Sequence, residues 1–155
     1  MEISQNGLDF IEKWEGKRYN KYKDAAGLWT VGIGHLIKPG EVFDHTLTDD
    51  ECYELLMQDL APVQSRINRW VEVPLTQNQY DALCSLVLNI GTGNKNKGFF
   101  SSSVLRYLNQ GHYEDAADAF LMWNKMTLPS GDKVKSPGLA NRRRDERKLF
   151  LSEET

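Results

Sequence analysis

Cysteine occurs only twice in 155 residues, at Cys52 and Cys84. Both fall within helical apolar patterns, which predicts buried thiols rather than a disulfide. A chain of this length can bury enough surface to do without a covalent staple. Long apolar runs are missing too. The N-terminus reads M-E-I-S-Q-N-G, acidic and polar, with no signal core. Nothing there directs export or stable membrane insertion, so synthesis and folding in the cytoplasm are expected. Histidine occurs three times. His35, His45 and His112 form no close ligand pair with each other or with the cysteines, so no metal or other cofactor is expected. The stretch G-T-G-N-K-N-K-G at 91–98 lacks G-K-[ST] and is therefore no P-loop. Neither sign of charge dominates. A net charge of −3 argues against a nucleic-acid partner, and the basic run near the C-terminus is interrupted by acids.

What is present is an ordinary globular composition, 40% apolar and 26% charged, without repeats or low-complexity tails. The pattern predicts one domain over residues 1–155, α+β and mostly helical. A β-rich segment at about 17–46 stands beside the helical body. A first helix is expected from Ser4 to Trp14, with Leu8, Ile11 and Trp14 on one face and Gly16 as its stop. Thr48-Asp49-Asp50-Glu51 has the form of a capping box and opens a long helix, which Pro62 kinks or divides before Val71. Thr76 to Gln79 repeats the capping pattern ahead of a helix ending at Gly91. Further helices are expected at Ser102–Asn109, Tyr113–Trp123 and Pro137–Leu151, with Leu128–Ser136 a loop.

The segment from Trp14 to His35 carries the chemistry: W-E-G-K-R-Y-N-K-Y-K-D-A-A-G-L-W-T-V-G-I-G-H. Glu15 closes a helix, where the negative end of the helix dipole and burial beside Trp14 both favour its protonated form. Asp24 opens a turn, where aspartate caps its own backbone amides and stays ionised. Thr30 lies on the returning strand, able to hold a water near Asp24. Two carboxyl groups in contrasting environments suit acid/base cleavage of a glycosidic bond. Taken alone, either carboxylate is commonly a solvated helix end or a turn former. Gly32 and Gly34, inside a strand pattern, mark close approach by a ligand or another backbone.

Glu, eight residues, Asp, five residues, Thr, then G-x-G-H resembles the phage-type lysozymes, the endolysin family. Other stretches extend the resemblance over nearly the whole chain: W-E-G, T-D-D-E-C-Y-E-L-L, L-T-Q-N-Q-Y-D-A-L, and P-G-L-A-N-R-R-R-D-E-R. The resemblance implies a lysozyme-like fold with a small N-terminal β-hairpin lobe and a larger helical lobe. It implies a muramidase that cuts the β-1,4 bond between N-acetylmuramic acid and N-acetylglucosamine in bacterial peptidoglycan. Glu15 is then the proton donor, Asp24 the second carboxylate (base or nucleophile), and Thr30 the water-positioning hydroxyl. Inversion is expected by analogy. A monomer is expected, released from the host cytoplasm through a lesion made by a holin partner to act in the periplasm or cell wall. The rivals are a lytic transglycosylase and a cell-wall-binding protein of the same fold without activity.

The expected substrate-binding set is His35, Leu36, Asn89, Phe99, Trp123, Asn124 and Arg142. Several have a plainer reading. His35 can hold a loop through a buried carboxylate, and Trp123 can belong to the core. One of Phe99 and Phe100 packs inside while the other faces sugar. Arg142 falls where the family places an arginine facing the catalytic glutamate. Alternatively it joins Arg143, Arg144, Arg147 and Lys148 on a solvated face with Asp145 and Glu146 interspersed.

Overall fold

The computed structural model describes residues 1–153. Helix α1 (Gln5–Glu15) is capped by Ser4, whose hydroxyl accepts from the Gly7 amide, and ends at Gly16, whose φ of 73° only glycine adopts freely. Strands β1 (Arg18–Lys23), β2 (Trp29–Gly32) and β3 (His35–Leu36) follow as an antiparallel sheet in that order. Tyr22 pairs with Thr30, and Thr30 with Leu36. Val31 and Ile33 are buried, fastening this small sheet to the helical body.

Helix α2 (Asp49–Trp70) runs unbroken through Pro62. Proline removes one backbone hydrogen bond and crowds the carbonyl four residues earlier. Pro62 and Gln58 are both exposed and line one cleft, so the interruption falls on the solvent side of the helix. The stripe Cys52, Leu56, Leu60, Val63 and Ile67 stays buried on the opposite side, and that burial holds the helix through the proline. The expected kink or division does not divide it. The capping box at its start is fully formed: Thr48 Oγ1 accepts from the Glu51 amide at 3.1 Å, and Glu51 Oε1 accepts from the Thr48 amide at 3.0 Å. Thr48→Ala should therefore cost about 1 kcal/mol, read as a lower urea midpoint at unchanged slope.

Helix α3 (Gln77–Ile90) is buried continuously from Tyr80 to Val87 and packs against α1, α2 and the last helix. A helix buried on all sides belongs at the centre, and its two buried polar residues, Asp81 and Ser85, are hydrogen-bonded. A single 3-10 turn (Phe99–Ser101) precedes α4 (Ser103–Asn109) and α5 (Tyr113–Phe120), which ends three residues earlier than the sequence pattern suggests. The stretch expected as a loop at Leu128–Ser136 instead contributes to a second hairpin, β4 (Lys125–Thr127) with β5 (Lys133–Lys135). Its tip closes through Gly131 N–H to Leu128 O and Leu128 N–H to Asp132 O, both 2.8 Å. Helix α6 (Pro137–Leu151), capped by the Ser136 hydroxyl, closes the body. The result is α+β and helix-dominant, with the small three-stranded sheet beside the helical body. Both cysteines are free and buried, and burial pushes both thiols above their ordinary range.

Candidate active site

Glu15 is the last residue of α1, so its side chain leaves the helix just where the chain turns toward the sheet. Its side chain is 19% exposed. Arg142 on α6 approaches from inside the body and donates from Nη1 to Glu15 Oε1. A guanidinium has only donors, so Oε1 must remain an acceptor. The proton of a neutral Glu15 therefore resides on Oε2. Oε2 faces Gly34, where a Cβ would overlap it and would lie 2.7 Å from Glu15 Cδ. The close approach expected from glycine in the strand pattern is thus made by the Glu15 carboxylate.

Asp24 opens the turn between β1 and β2. Its Oδ1 accepts from the amides of Ala26 and Leu28, each at 2.9 Å, and its own amide donates to Leu28 O at 2.9 Å. These bonds fix the carboxylate at the tip of the hairpin. Thr30 is buried, and its hydroxyl donates to Leu28 O at 3.1 Å while a lone pair stays free for a water. Glu15, Asp24 and Thr30 line one cleft of about 500 Å³, together with Tyr22, Leu36 and Asn89. Burial pushes the Tyr22 phenol up, and the nearby Glu15 and Asp24 carboxylates push it further. A second hollow of about 640 Å³ shares Asp24 and Asn89 and continues past Trp123 and Met126. The two form an extended groove along one side of the hairpin tip, a shape suited to a chain-like substrate.

The remaining expected residues divide. Leu36 and Asn89 are exposed and line the cleft, and Trp123, half-buried, lines the adjoining hollow. Asn124 lies outside both linings, its backbone carbonyl accepting from the Ser136 amide at 2.8 Å. Phe99 is a correction: it has no exposed surface and packs beside Trp70 in the core. Phe100 is the exposed one, edge-on to Trp70 at 4.7 Å, and it lines a separate hollow with Arg69 and Arg106. His35 is a second correction as a sugar contact. It is 2% exposed, with Nδ1 2.9 Å from Asp59 Oδ2 and Nε2 2.9 Å from Glu41 Oε1. Both ring nitrogens are occupied, so His35 fastens the loop at 38–41 to α2. The Lys38 amide donating to Glu41, helped by His35, holds the Glu41 carboxyl below its usual range. Arg142 is 4% exposed and reaches the cleft only through Glu15.

Sequence reasoning missed Arg143, Glu146 and Ser85. The alternative of a solvated face does not hold for Arg143 and Glu146, which are fully buried. Glu146 Oε1 accepts from Arg143 Nη1 at 2.9 Å, and Oε2 accepts from Arg142 Nε at 3.2 Å and from Ser85 Oγ. Burial pushes the Glu146 carboxyl up, against the pull of Arg143 and Arg142. Burial likewise lowers Arg143 to about 10, where it still carries its charge at neutral pH. The available signal was spacing: Glu146 stands four and three residues after the two arginines, ideal for pairing on one helix face. Arg144 and Asp145 do face outward. Asp145 accepts from Lys13 Nζ at 2.9 Å and Trp14 Nε1 at 2.8 Å, tying α6 to the end of α1 beside Glu15.

Comparison with known proteins agrees with this geometry. A phage lysozyme family profile matches residues 12–146. The endolysin of Salmonella phage P22 is 45% identical over 156 residues, covering 98% of this chain and 99% of that protein. Among solved structures, the endolysin of Escherichia coli O157:H7 phage FAHEc1 superposes with a TM-score of 0.86 at 35% identity, over 97% of this chain and 94% of that one. The muramidase domain of SpmX from Asticaccaulis excentricus gives 0.83 at 34% identity, over 98% and 99%. Near-complete coverage at these identities, together with the groove between hairpin and helical body, places the chain in the phage lysozyme family.

Proposed function

We propose that this protein is an endolysin, a muramidase hydrolysing the β-1,4 bond between N-acetylmuramic acid and N-acetylglucosamine in peptidoglycan, with residues 1–155 acting as one catalytic unit. The observation that carries this reading is the placement of Glu15, Asp24 and Thr30 on three separate elements around one cleft. Glu15 Oε2 gives its proton to the bridging oxygen as the C1–O bond breaks. A water held by Thr30 and oriented by Asp24 adds to C1, and its proton passes to Asp24, the inverting course. Arg142 stays bonded to Oε1 through the step and steadies the carboxylate that forms. Leu36, Asn89 and Trp123 supply apolar and amide surface to the sugar rings and N-acetyl groups.

The substrate lies beyond the cytoplasmic membrane, and among the described residues no helix is long and apolar enough to cross one. The proposed route is release as a monomer through a holin lesion, from the host cytoplasm to the cell wall. Digestion of a defined murein oligosaccharide, followed by mass spectrometry and by NMR of the first anomer formed, tests the reaction. Hydrolysis with inversion should give a reducing muramic acid that appears first as the α-anomer. An anhydro product, lighter by one water, would instead identify a lytic transglycosylase.

A further inference from the structure

Behind Glu15 and its partner Arg142 lie Glu146, Arg143 and Ser85, enclosed groups to which the reaction as described assigns no work. Glu146 is the hub of this cluster, accepting from Arg142 Nε, Arg143 Nη1 and Ser85 Oγ. Every nitrogen of Arg142 is engaged: Nε by Glu146, Nη1 by Glu15, and Nη2 by Ser85 O at 3.1 Å and Ser85 Oγ at 3.3 Å. The guanidinium therefore has one available orientation, and one of its edges meets the cleft carboxylate. Arg143 Nη2 donates to Asn89 Oδ1, and its Nε is buried without a partner among the described residues.

The charged groups around Glu146 are few. Its own helix supplies Arg142 and Arg143, and α1 supplies Glu15 beyond Arg142. Helix α3 faces the cluster with uncharged Ser85 and Asn89; α5 meets α6 through Phe120 on Phe150 and through Asp118, which accepts from Arg147 Nε at 2.9 Å, and β4 brings the exposed Lys125 to α6. On its open side Glu15 shares the cleft with Tyr22, Asp24, Lys38 and Asp59. Two guanidiniums are thus balanced by two carboxylates, and one of those, Glu15, must carry a proton before the reaction can begin. With Glu15 neutral, Glu146 is the counter-charge left to both arginines within the cluster.

We propose that Glu146 is a positioning residue for the proton-donor step, an inference that rests on the reading of Glu15 as the acid. It holds Arg142 by Nε in a fixed orientation against Glu15 Oε1. It also supplies the negative charge that allows Glu15 to become neutral beside a buried guanidinium. Arg142 thereby steadies the carboxylate formed after proton transfer without holding Glu15 ionised beforehand. In a low-dielectric enclosure, removing that one charge acts strongly on a neighbouring equilibrium.

The test is the pH dependence of kcat/KM on a defined murein oligosaccharide for the intact protein, Glu146→Gln, Arg143→Gln and the double variant. The alkaline limb reports loss of the acid's proton. Glu146→Gln leaves the arginines facing Glu15 alone, favours its ionised form, and should move that limb down by about one pH unit. Arg143→Gln removes one positive charge and should move the limb up by about the same amount, with the double variant back near the parent. A merely structural role would lower activity in both single variants without opposite displacements. Limbs that stay in place, or move the same way, overturn the proposal. Should Glu146→Gln not fold, the Arg143→Gln displacement decides alone, and its absence overturns the proposal. Full activity in Glu15→Gln would instead remove the underlying reading of the acid, so the two failures are distinct.

Discussion

Glu15→Gln should lose wall-clearing activity by about 10³-fold, within the usual contribution of a general acid, while the protein folds as before. The amide keeps an oxygen to accept from Arg142 Nη1, so the contact between α1 and α6 survives. It has no acidic proton to give. Arg142 keeps Glu146 and Ser85 as partners, so the substitution does not strand a buried charge. The melting temperature should therefore stay within about 4 °C, the shift expected from roughly 1 kcal/mol in a chain of this size. Turbidity loss of a wall suspension and a thermal melt measure the two quantities separately. Undiminished clearing by a well-folded Glu15→Gln protein would sink the assignment of the acid.

Gly34→Ala should be nearly as damaging, although it changes no ionisable group. Gly34 has φ of 70°, in the left-handed region, where a Cβ costs about 1–2 kcal/mol. The larger effect is positional. The added methyl would occupy the space of Glu15 Oε2, and Arg142 holds Oε1 from the other side. The carboxyl cannot retreat inward, so it must rotate or the β2–β3 turn must move outward. A displacement of about 1 Å at the reacting atom costs on the order of 10²-fold in rate. The expected signature is a large fall in kcat with a modest loss of thermal stability. Gly40→Ala makes the control: its φ is 90° with nothing within 4 Å of an added Cβ. It should show the conformational cost without the loss of rate.

Much of this arrangement was legible locally. The capping boxes at Thr48 and Thr76, the helix stop at Gly16 and the Asp24 turn each depend on residues within about four positions, and each forms as read. What escaped depends on distant partners. The β4–β5 hairpin is made of two three-residue strands, each with one apolar residue (Met126, Val134) between polar ones, too short for the period of two to stand out. Pro62 looked like a break because its cost is local. The buried stripe that offsets that cost appears only when α2 is packed. Arg143 and Glu146 looked solvated because charged residues crowd that helix. Their burial is decided by α3, which brings Ser85 and Asn89 to them from more than fifty positions away. Of the cleft residues, Glu15, Asp24 and Thr30 were legible because they sit within one short segment. The division between Phe99 and Phe100 was not, since which ring turns inward is set by the 3-10 turn that carries them.

The two cysteines give the molecule a pair of internal reporters. Cys52 lies on α2 beneath Gly32 of the sheet, while Cys84 sits in the middle of α3. Neither thiol meets solvent, and burial keeps both from ionising, so a thiol reagent reaches them only through transient opening. Labelling rates at the two positions would then separate loosening between sheet and helix from unfolding of the central core. The native chain carries those two probes without any engineered substitution.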